Sequence, residues 1–399
     1  MPFHVRQFVR IFRRAFSEPM TPRRRRVVWT LFLAVPALAL VNSLCLALDH
    51  VLFPAFRRVR VRAPLFVIGH ARSGTTLLHE LLGADEAFSW FMAYELFLPS
   101  LVQKKLLRAV GRFDRARLGG RLEARVRAWQ DRVFAKGRQM HPMDLLGPEE
   151  DEFLLSLTLY SATAGVVFPN LEAMRPFTRF DVALDARTRR KVMRFYRGCV
   201  QRQLYLNGPE KTHLSKNPLF SGKVESLIEA FPDARFAILV RNPFETIPSI
   251  QKMMLRNYKA SGTAPELIEN ALRIVGENSL FAYRYPFDTL AKHAATRATA
   301  VRYERLVADP AGAMRQVYDE LGLEVGPSSL AAMERAAAHA RAYKPSHDYA
   351  LSEVGLAPAE IRRALAPLFE RFGWPGPDGP PPAATAQRAD SRANEETRP

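Results

Sequence analysis

The sequence predicts an α/β fold: a P-loop-like, mainly parallel sheet flanked by helices, behind an N-terminal hydrophobic helical anchor. Three observations carry that expectation. The apolar run Leu65–Ile68 enters a glycine turn at Gly69 and then a helical pattern, Thr76–Leu82. A second compact run, Phe236–Val240, ends in Arg241. Short β-rich runs alternate with longer amphipathic stretches from about Val61 to Trp374, as strands joined by crossover helices do.

Taken in order, residues 3–16 read as a basic amphipathic helix. Phe8, Ile11 and Phe12 recur at helical spacing, Val5, Val9 and Phe16 widen the face, and Arg6, Arg10, Arg13 and Arg14 supply charge. Aromatic anchors with arginine suit the headgroup region of a bilayer; docking on the chain's own surface is the alternative. After Arg23–Arg26, Val27–Leu48 runs 22 residues without a charge, long enough to span a bilayer and too long for a cleaved leader. Pro36 at its centre would kink a helix. Arg57, Arg58, Arg60 and Arg62 follow it, so the positive-inside rule gives no orientation. An in-plane insertion and a buried soluble hairpin stay open.

The strand Pro64–Gly69, a second strand before Glu95, a basic helical insertion over 104–140, the strand Phe236–Val240 and a third apolar strand, Thr299–Tyr303, then build the main domain. Pro358–Phe372 places Ile361, Leu365, Leu368, Phe369 and Phe372 on one face of a closing helix. The expected division is a membrane-associating segment, 1–60, a catalytic domain, 61–374, and a disordered Gly/Pro/Ala-rich tail, 375–399.

Composition narrows the function classes. With 48% hydrophobic and 25% charged residues, wholesale disorder and a polytopic membrane protein are excluded. Two cysteines, Cys45 and Cys199, exclude a disulfide scaffold. The net charge of +18 is uneven: residues 1–62 carry 12 Arg against Glu18 and Asp49, a net +10. The middle carries +9 and the tail −1. Because the excess concentrates beside a hydrophobic segment, the expected partners are a membrane surface or bilayer for residues 1–60 and a small polyanion for the middle, not nucleic acid.

The strongest motif is Leu65–Leu82, a buried strand feeding a glycine turn that opens a helix. N–H groups at a helix start lack intrahelical partners and face the positive end of the dipole, so phosphate binds there. Gly69 and Gly74 allow the turn; Arg72, Ser73, Thr75 and Thr76 add donors. The spacing imitates the nucleotide-binding G-x-x-x-x-G-K-[ST], but Thr75 stands where the lysine belongs and the cation is Arg72. The second strand also ends in Arg241 rather than a magnesium-binding acid. Ser249, eight residues after Arg241, would converge with it on a second phosphate.

At this point the chain resembles the sulfotransferases that use 3′-phosphoadenylyl sulfate. Arg72-Ser-Gly-Thr-Thr76 matches their 5′-phosphosulfate loop, and Arg241 with Ser249 matches their 3′-phosphate motif. The resemblance, over roughly 61–374, is to the Arg-Ser-Gly-Thr-Thr branch that includes bacterial members and protein-tyrosine sulfotransferases. It implies a glutamate base at Glu95, a sulfuryl-stabilising cation at Lys216 and a donor-binding tyrosine at Tyr303, with Arg72 also acting at the sulfuryl group and no metal. His213, in a Lys-Thr-His sequence like that of cytosolic members, is the second choice of base.

Lys344 and His347 are weaker candidates to close over the donor. The acids Glu149–Glu152 read as dipole-stabilising charges at the start of a helix, and His79 as a helix-surface residue. The acceptor would be a hydroxyl on a lipid, glycan or apolar small molecule. The setting is a membrane-associated enzyme with a cytoplasmic domain if bacterial, or a Golgi-luminal one if eukaryotic. The rivals are a nucleoside-triphosphate kinase or ATPase and a non-catalytic membrane adaptor.

Overall fold

In a computed structural model, residues 1–18, 20–134, 144–342 and 356–376 are described. The core is a five-stranded parallel sheet of β1 (Leu65–Gly69), β2 (Phe88–Ser89), β3 (Thr212–Lys216), β4 (Arg235–Val240) and β5 (Arg297–Arg302), in the order β2-β3-β1-β4-β5. Every residue of β1 is buried. Phe66 and Ile68 pack into one apolar cluster with Tyr196 and Phe220; Leu65 and Val67 pack into another with Leu78 and Val317. A parallel sheet covered on both faces needs such continuous apolar strands. The chain fills the β3 side of β1 and then crosses to β4, so the carboxyl ends of β1, β3 and β4 line a topological switch point, where open α/β sheets bind ligands.

Helix α1 (Val5–Ser17) and helix α2 (Pro22–Leu52) precede the sheet. Much of the apolar face of α1 is covered by the chain itself: Ile11, Phe12 and Ala15 are buried, and Phe12 meets Phe168 and Phe32 edge-on, while Val5 and Val9 stay exposed. The alternative reading, docking on the chain's own surface, holds for Ile11, Phe12 and Ala15. Helix α2 continues through Pro36 as one element. Helix α3 (Thr75–Gly83) follows β1, and α4 (Ala93–Phe97), α5 (Leu101–Arg117) and α6 (Arg121–Phe134) follow β2. The last two cover the described part, 104–134, of the expected helical insertion over 104–140.

Two expectations shift. The closing helix is split into Pro358–Ala364 and Ala366–Phe372. Pro367 cannot donate to the preceding turn and disfavours helical geometry at the residue before it. Tyr303, expected to end a strand, opens the helix Tyr303–Ala308 directly after β5. Lys344 and His347, and the tail beyond residue 376, lie outside the described residues.

Candidate active site

The phosphate loop is a strained backbone cradle. Gly69 has φ +133°, and a Cβ there would stand 2.3 Å from the Leu239 carbonyl oxygen, so close β1–β4 approach requires glycine. Ser221 Oγ hydrogen-bonds both the Gly69 N–H and its carbonyl, fixing the strand's exit. Arg72, exposed, holds φ +72°, an uncommon conformation for a side-chain-bearing residue and one that clusters at functional sites. Gly74 begins α3 with φ +92°, and no side chain caps the first turn. Ser73 Oγ is buried without a hydrogen-bond partner. An uncapped helix start, an unsatisfied hydroxyl and an adjacent guanidinium together make a site for an oxyanion.

The second motif closes on the first. Arg241 Nη1 donates to the Arg72 carbonyl at 3.3 Å, and Arg72 Nε donates to Ser249 Oγ at 3.2 Å. The Arg241 guanidinium lies 4.0 Å from the Tyr303 ring centroid, and a Cβ on Gly74 would come within 2.7 Å of that ring. Arg72, Gly74, Arg241, Ser249 and Tyr303, drawn from three strand ends and one helix, thus form one contiguous constellation. Arg241 is aimed by Glu245, one helical turn on, which accepts from its Nε at 2.9 Å. Behind the loop, His70 stacks on Tyr283 at 4.8 Å, and the Tyr283 hydroxyl donates to the Arg241 carbonyl. Burial lowers the pKa of His70 to about 4, keeping it neutral.

Lys216 ends β3 beside Val67 of β1, on the same edge of the sheet. It is buried and carboxylate-paired, with Glu150 Oε1 at 3.1 Å and Glu149 Oε1 at 3.8 Å. The acid run that read as helix-dipole charge has a different role. Its helix, α7 (Glu152–Ser156), is only five residues long. Each acid faces a strand or loop residue: Asp151 accepts from the Tyr196 hydroxyl at 2.5 Å and lies 3.1 Å from His213 Nε2, and Glu152 pairs with Lys223 at 3.0 Å and with Asn217. Pro148 bridges to Met92, which brings the run beside α4. Four consecutive acids ahead of an apolar run were the available signal, but their partners lie 45 or more positions along the chain.

Glu95, on α4, is wholly buried. Its Oε2 accepts from the Met92 N–H at 3.3 Å, and its Oε1, without a hydrogen bond, faces Arg108 at 3.5 Å and Lys104 at 3.8 Å. His213 is buried between Asp151 and Tyr196. His79 is buried rather than on the helix surface. Burial first, and then the charges of Lys216 and His213, lower its pKa to about 3. Among the described residues no group of three or more His, Cys, Asp or Glu side chains could hold a metal ion.

Comparison with known proteins adds the following. A family model described as the sulfotransferase family matches residues 64–327. Two curated relatives, the omega-hydroxy-beta-dihydromenaquinone-9 sulfotransferases Stf3 of Mycobacterium bovis and Mycobacterium tuberculosis, are each 30% identical over 312 residues, 74% of this chain and 72% of theirs. Among solved structures, sulfotransferase STF9 of Mycobacterium avium superposes with a TM-score of 0.68 at 19% identity, covering 93% of this chain and 97% of that one. Sulfotransferase STF1 of Mycobacterium tuberculosis gives 0.64 at 20% identity, covering 91% and 92%. These two likenesses establish the fold.

Proposed function

The chain belongs to the sulfotransferase family, and from that premise we propose that it moves a sulfuryl group from 3′-phosphoadenylyl sulfate to the hydroxyl of a long apolar acceptor at a membrane. Membership makes it an enzyme and removes the kinase and adaptor readings. The donor assignment rests on one observation: the Arg72–Ser249 hydrogen bond and the stacking of Arg241 on Tyr303 against Gly74 unite the two anion motifs.

The donor supplies an activated sulfuryl group on a doubly phosphorylated nucleotide. Residues Arg72–Thr76 bind the 5′-phosphosulfate through the open turn of α3, and Arg241 and Ser249 bind the 3′-phosphate. Tyr303 packs beneath Arg241 and holds its plane. Lys216, in a buried setting that strengthens charge interactions, offsets charge at the sulfuryl group together with Arg72. Such positioned charges are a large share of catalysis in the analogous phosphoryl transfers. No step calls for a metal.

Glu95 is the proposed base, as the family resemblance implies; its Oε1 makes no hydrogen bond but is ion-paired with Arg108 and Lys104, and an acceptor hydroxyl would compete with those cations for it. Glu150 is a second reading, favoured by its 3.1 Å contact with Lys216. The acceptor class is supported by the name of the curated relatives, which places their hydroxyl on a menaquinone derivative, and by the 29-residue apolar helix segment Arg24–Leu52. The mycobacterial relatives support a bacterial setting.

The test is calorimetric titration of the full chain with 3′-phosphoadenosine 5′-phosphate in EDTA, followed by sulfate transfer to a hydroxylated prenyl lipid. Saturable one-site binding is expected. A folded protein that binds no nucleotide, or binds only with magnesium, defeats the donor assignment.

A further inference from the structure

Helix α2 turns a long apolar face outward. A helix on the surface of a soluble domain turns apolar residues inward and polar ones to water. Here the inward face carries Arg24, Asn42 and Asp49, all buried, between the buried Val28, Ala39 and Leu46. The outward face carries Leu33, Leu40, Leu44 and Val51, exposed by 63%, 62%, 58% and 77%. Only 17% of its most apolar window is buried, at a mean hydropathy of 2.3.

The inward polar residues fasten the helix to the domain along its length. Arg24 Nη1 lies 3.4 Å from both Ser261 and Thr263 hydroxyls near the start. In the second half Asn42 donates to the Phe97 carbonyl at 2.9 Å and accepts from Gln103. Near the end Asp49 accepts from the Leu101 and Val102 N–H groups, capping α5, and pairs with Arg202 at 2.6 Å. From Arg24 to Asp49 the helix rises about 38 Å, more than the roughly 30 Å hydrocarbon thickness of a bilayer. Both ends nevertheless rest on one domain, so the helix cannot cross a membrane without taking that domain into it.

We infer that α2 is an in-plane membrane anchor, seated at the headgroup–acyl boundary of an anionic leaflet with its outer face in the lipid. This deepens the reading above, on which it rests, that the enzyme works at a membrane. Exposed arginines stand at both ends of the helix, Arg25 and Arg26 before and Arg57 and Arg58 after. For a spanning helix that symmetry has no orientation; for a helix in the plane both ends meet the same headgroups, and the symmetry is what anionic lipid selects. Helix α5, which packs against α2, extends the face with Leu106, Val110 and Phe113, exposed at helical spacing beside Arg112 and Arg115. An acceptor with an apolar tail then reaches the enzyme along the leaflet rather than through water.

The experiment uses full-length protein and vesicles of phosphatidylcholine with or without phosphatidylglycerol. Wild type is expected to float with the anionic vesicles. Leu40→Glu/Leu44→Glu, at exposed positions that leave the fold intact, should reduce partitioning by about 100-fold, on the order of tenfold per buried leucine. In a Cys45→Ser background, Ser17→Cys and Ala55→Cys flank the helix, and an impermeant maleimide added outside should label both. Titration with 3′-phosphoadenosine 5′-phosphate on the same samples separates loss of the anchor from failure of the donor site. Unchanged flotation of the glutamate variant, protection of one end from the maleimide, or a dimer that buries the face without binding vesicles would each overturn the inference.

Discussion

The carboxyl edge of the sheet is built in two different ways on its two sides. On the β1–β4–β5 side, backbone does the work: two positive-φ glycines, a positive-φ arginine and an uncapped helix start make the cradle, and Arg241 and Tyr303 close it. On the β3 side, side chains brought from far along the chain do the work. Glu150 meets Lys216, Asp151 meets His213, and Glu152 meets Lys223. A site made by backbone must be written as a contiguous motif, because the turn needs its residues side by side. A site made by paired charges needs only that the partners meet in the fold.

The sharpest test is at the proposed base, Glu95, whose partners Lys104 and Arg108 come from the next helix, against Glu150, whose partner Lys216 comes from far along the chain. Glu95→Gln preserves shape and is expected to lower kcat by about 10²–10⁴, the range of general-base catalysis. Nucleotide binding should stay near wild type in the same protein. Glu150→Gln should lower kcat less, by weakening the setting of Lys216. If the ranking reverses in single-turnover rates, Glu150 is the base and Glu95 a packing residue of α4.

Stability should separate the two sides next. Glu152 and Lys223 are both wholly buried, and removing one partner of such a pair costs about 3–5 kcal/mol. Glu152→Gln is expected to lower urea-unfolding stability by that amount, whereas Thr76→Ala, at an exposed position in the first turn of α3, should move it by less than about 0.5 kcal/mol. A small loss at Glu152 would mean that the β3 side does not depend on its charge pairs.

Binding gives the third contrast. Arg241→Ala removes charge-assisted hydrogen bonds worth about 1.5–3 kcal/mol, so the affinity for 3′-phosphoadenosine 5′-phosphate should fall by about 10–100-fold. Lys216→Ala should change that affinity little and lower kcat instead. Equal effects on affinity would merge the two sides into one nucleotide site.

The same contrast explains what could be read from the chain. β1, β4, the loop residues Arg72–Thr76, and Arg241 and Ser249 were all visible, because periodicity and adjacency encode them. The acid run was visible as composition but not as structure: nothing local distinguishes four dipole charges from four acids that meet Lys216, His213 and Lys223. His79 was misplaced for a related reason, since the helical pattern Thr76–Leu82 is apolar nearly all round and hides which face meets β3. The apolar stretch in α2 was plain, while its inward Asn42 and Asp49 acquire meaning only once Phe97, Leu101 and Arg202 stand opposite.

The smallest effect probes one buried histidine on each side. His70 lies behind the phosphate loop with a pKa near 4, depressed by burial alone; His79 lies near Lys216 with a pKa near 3, depressed by burial and by the charges of Lys216 and His213. Both are neutral when folded, whereas the unfolded chain protonates them near pH 6.5. The unfolded state therefore binds more protons in this window, so stability is full above about pH 6.5 and falls as pH drops toward the folded values. At pH 5 each histidine should cost about 2 kcal/mol. His70→Asn and His79→Gln should each flatten the decline of urea-unfolding stability between pH 7 and 5. Lys216→Met then divides the causes: by removing a nearby positive charge it should raise the pKa of His79 in NMR titration and leave that of His70 in place. If both move together, or neither does, the charges around Lys216 do not set the electrostatics of the β3 side, and the distinction between a backbone-built and a charge-built half is lost.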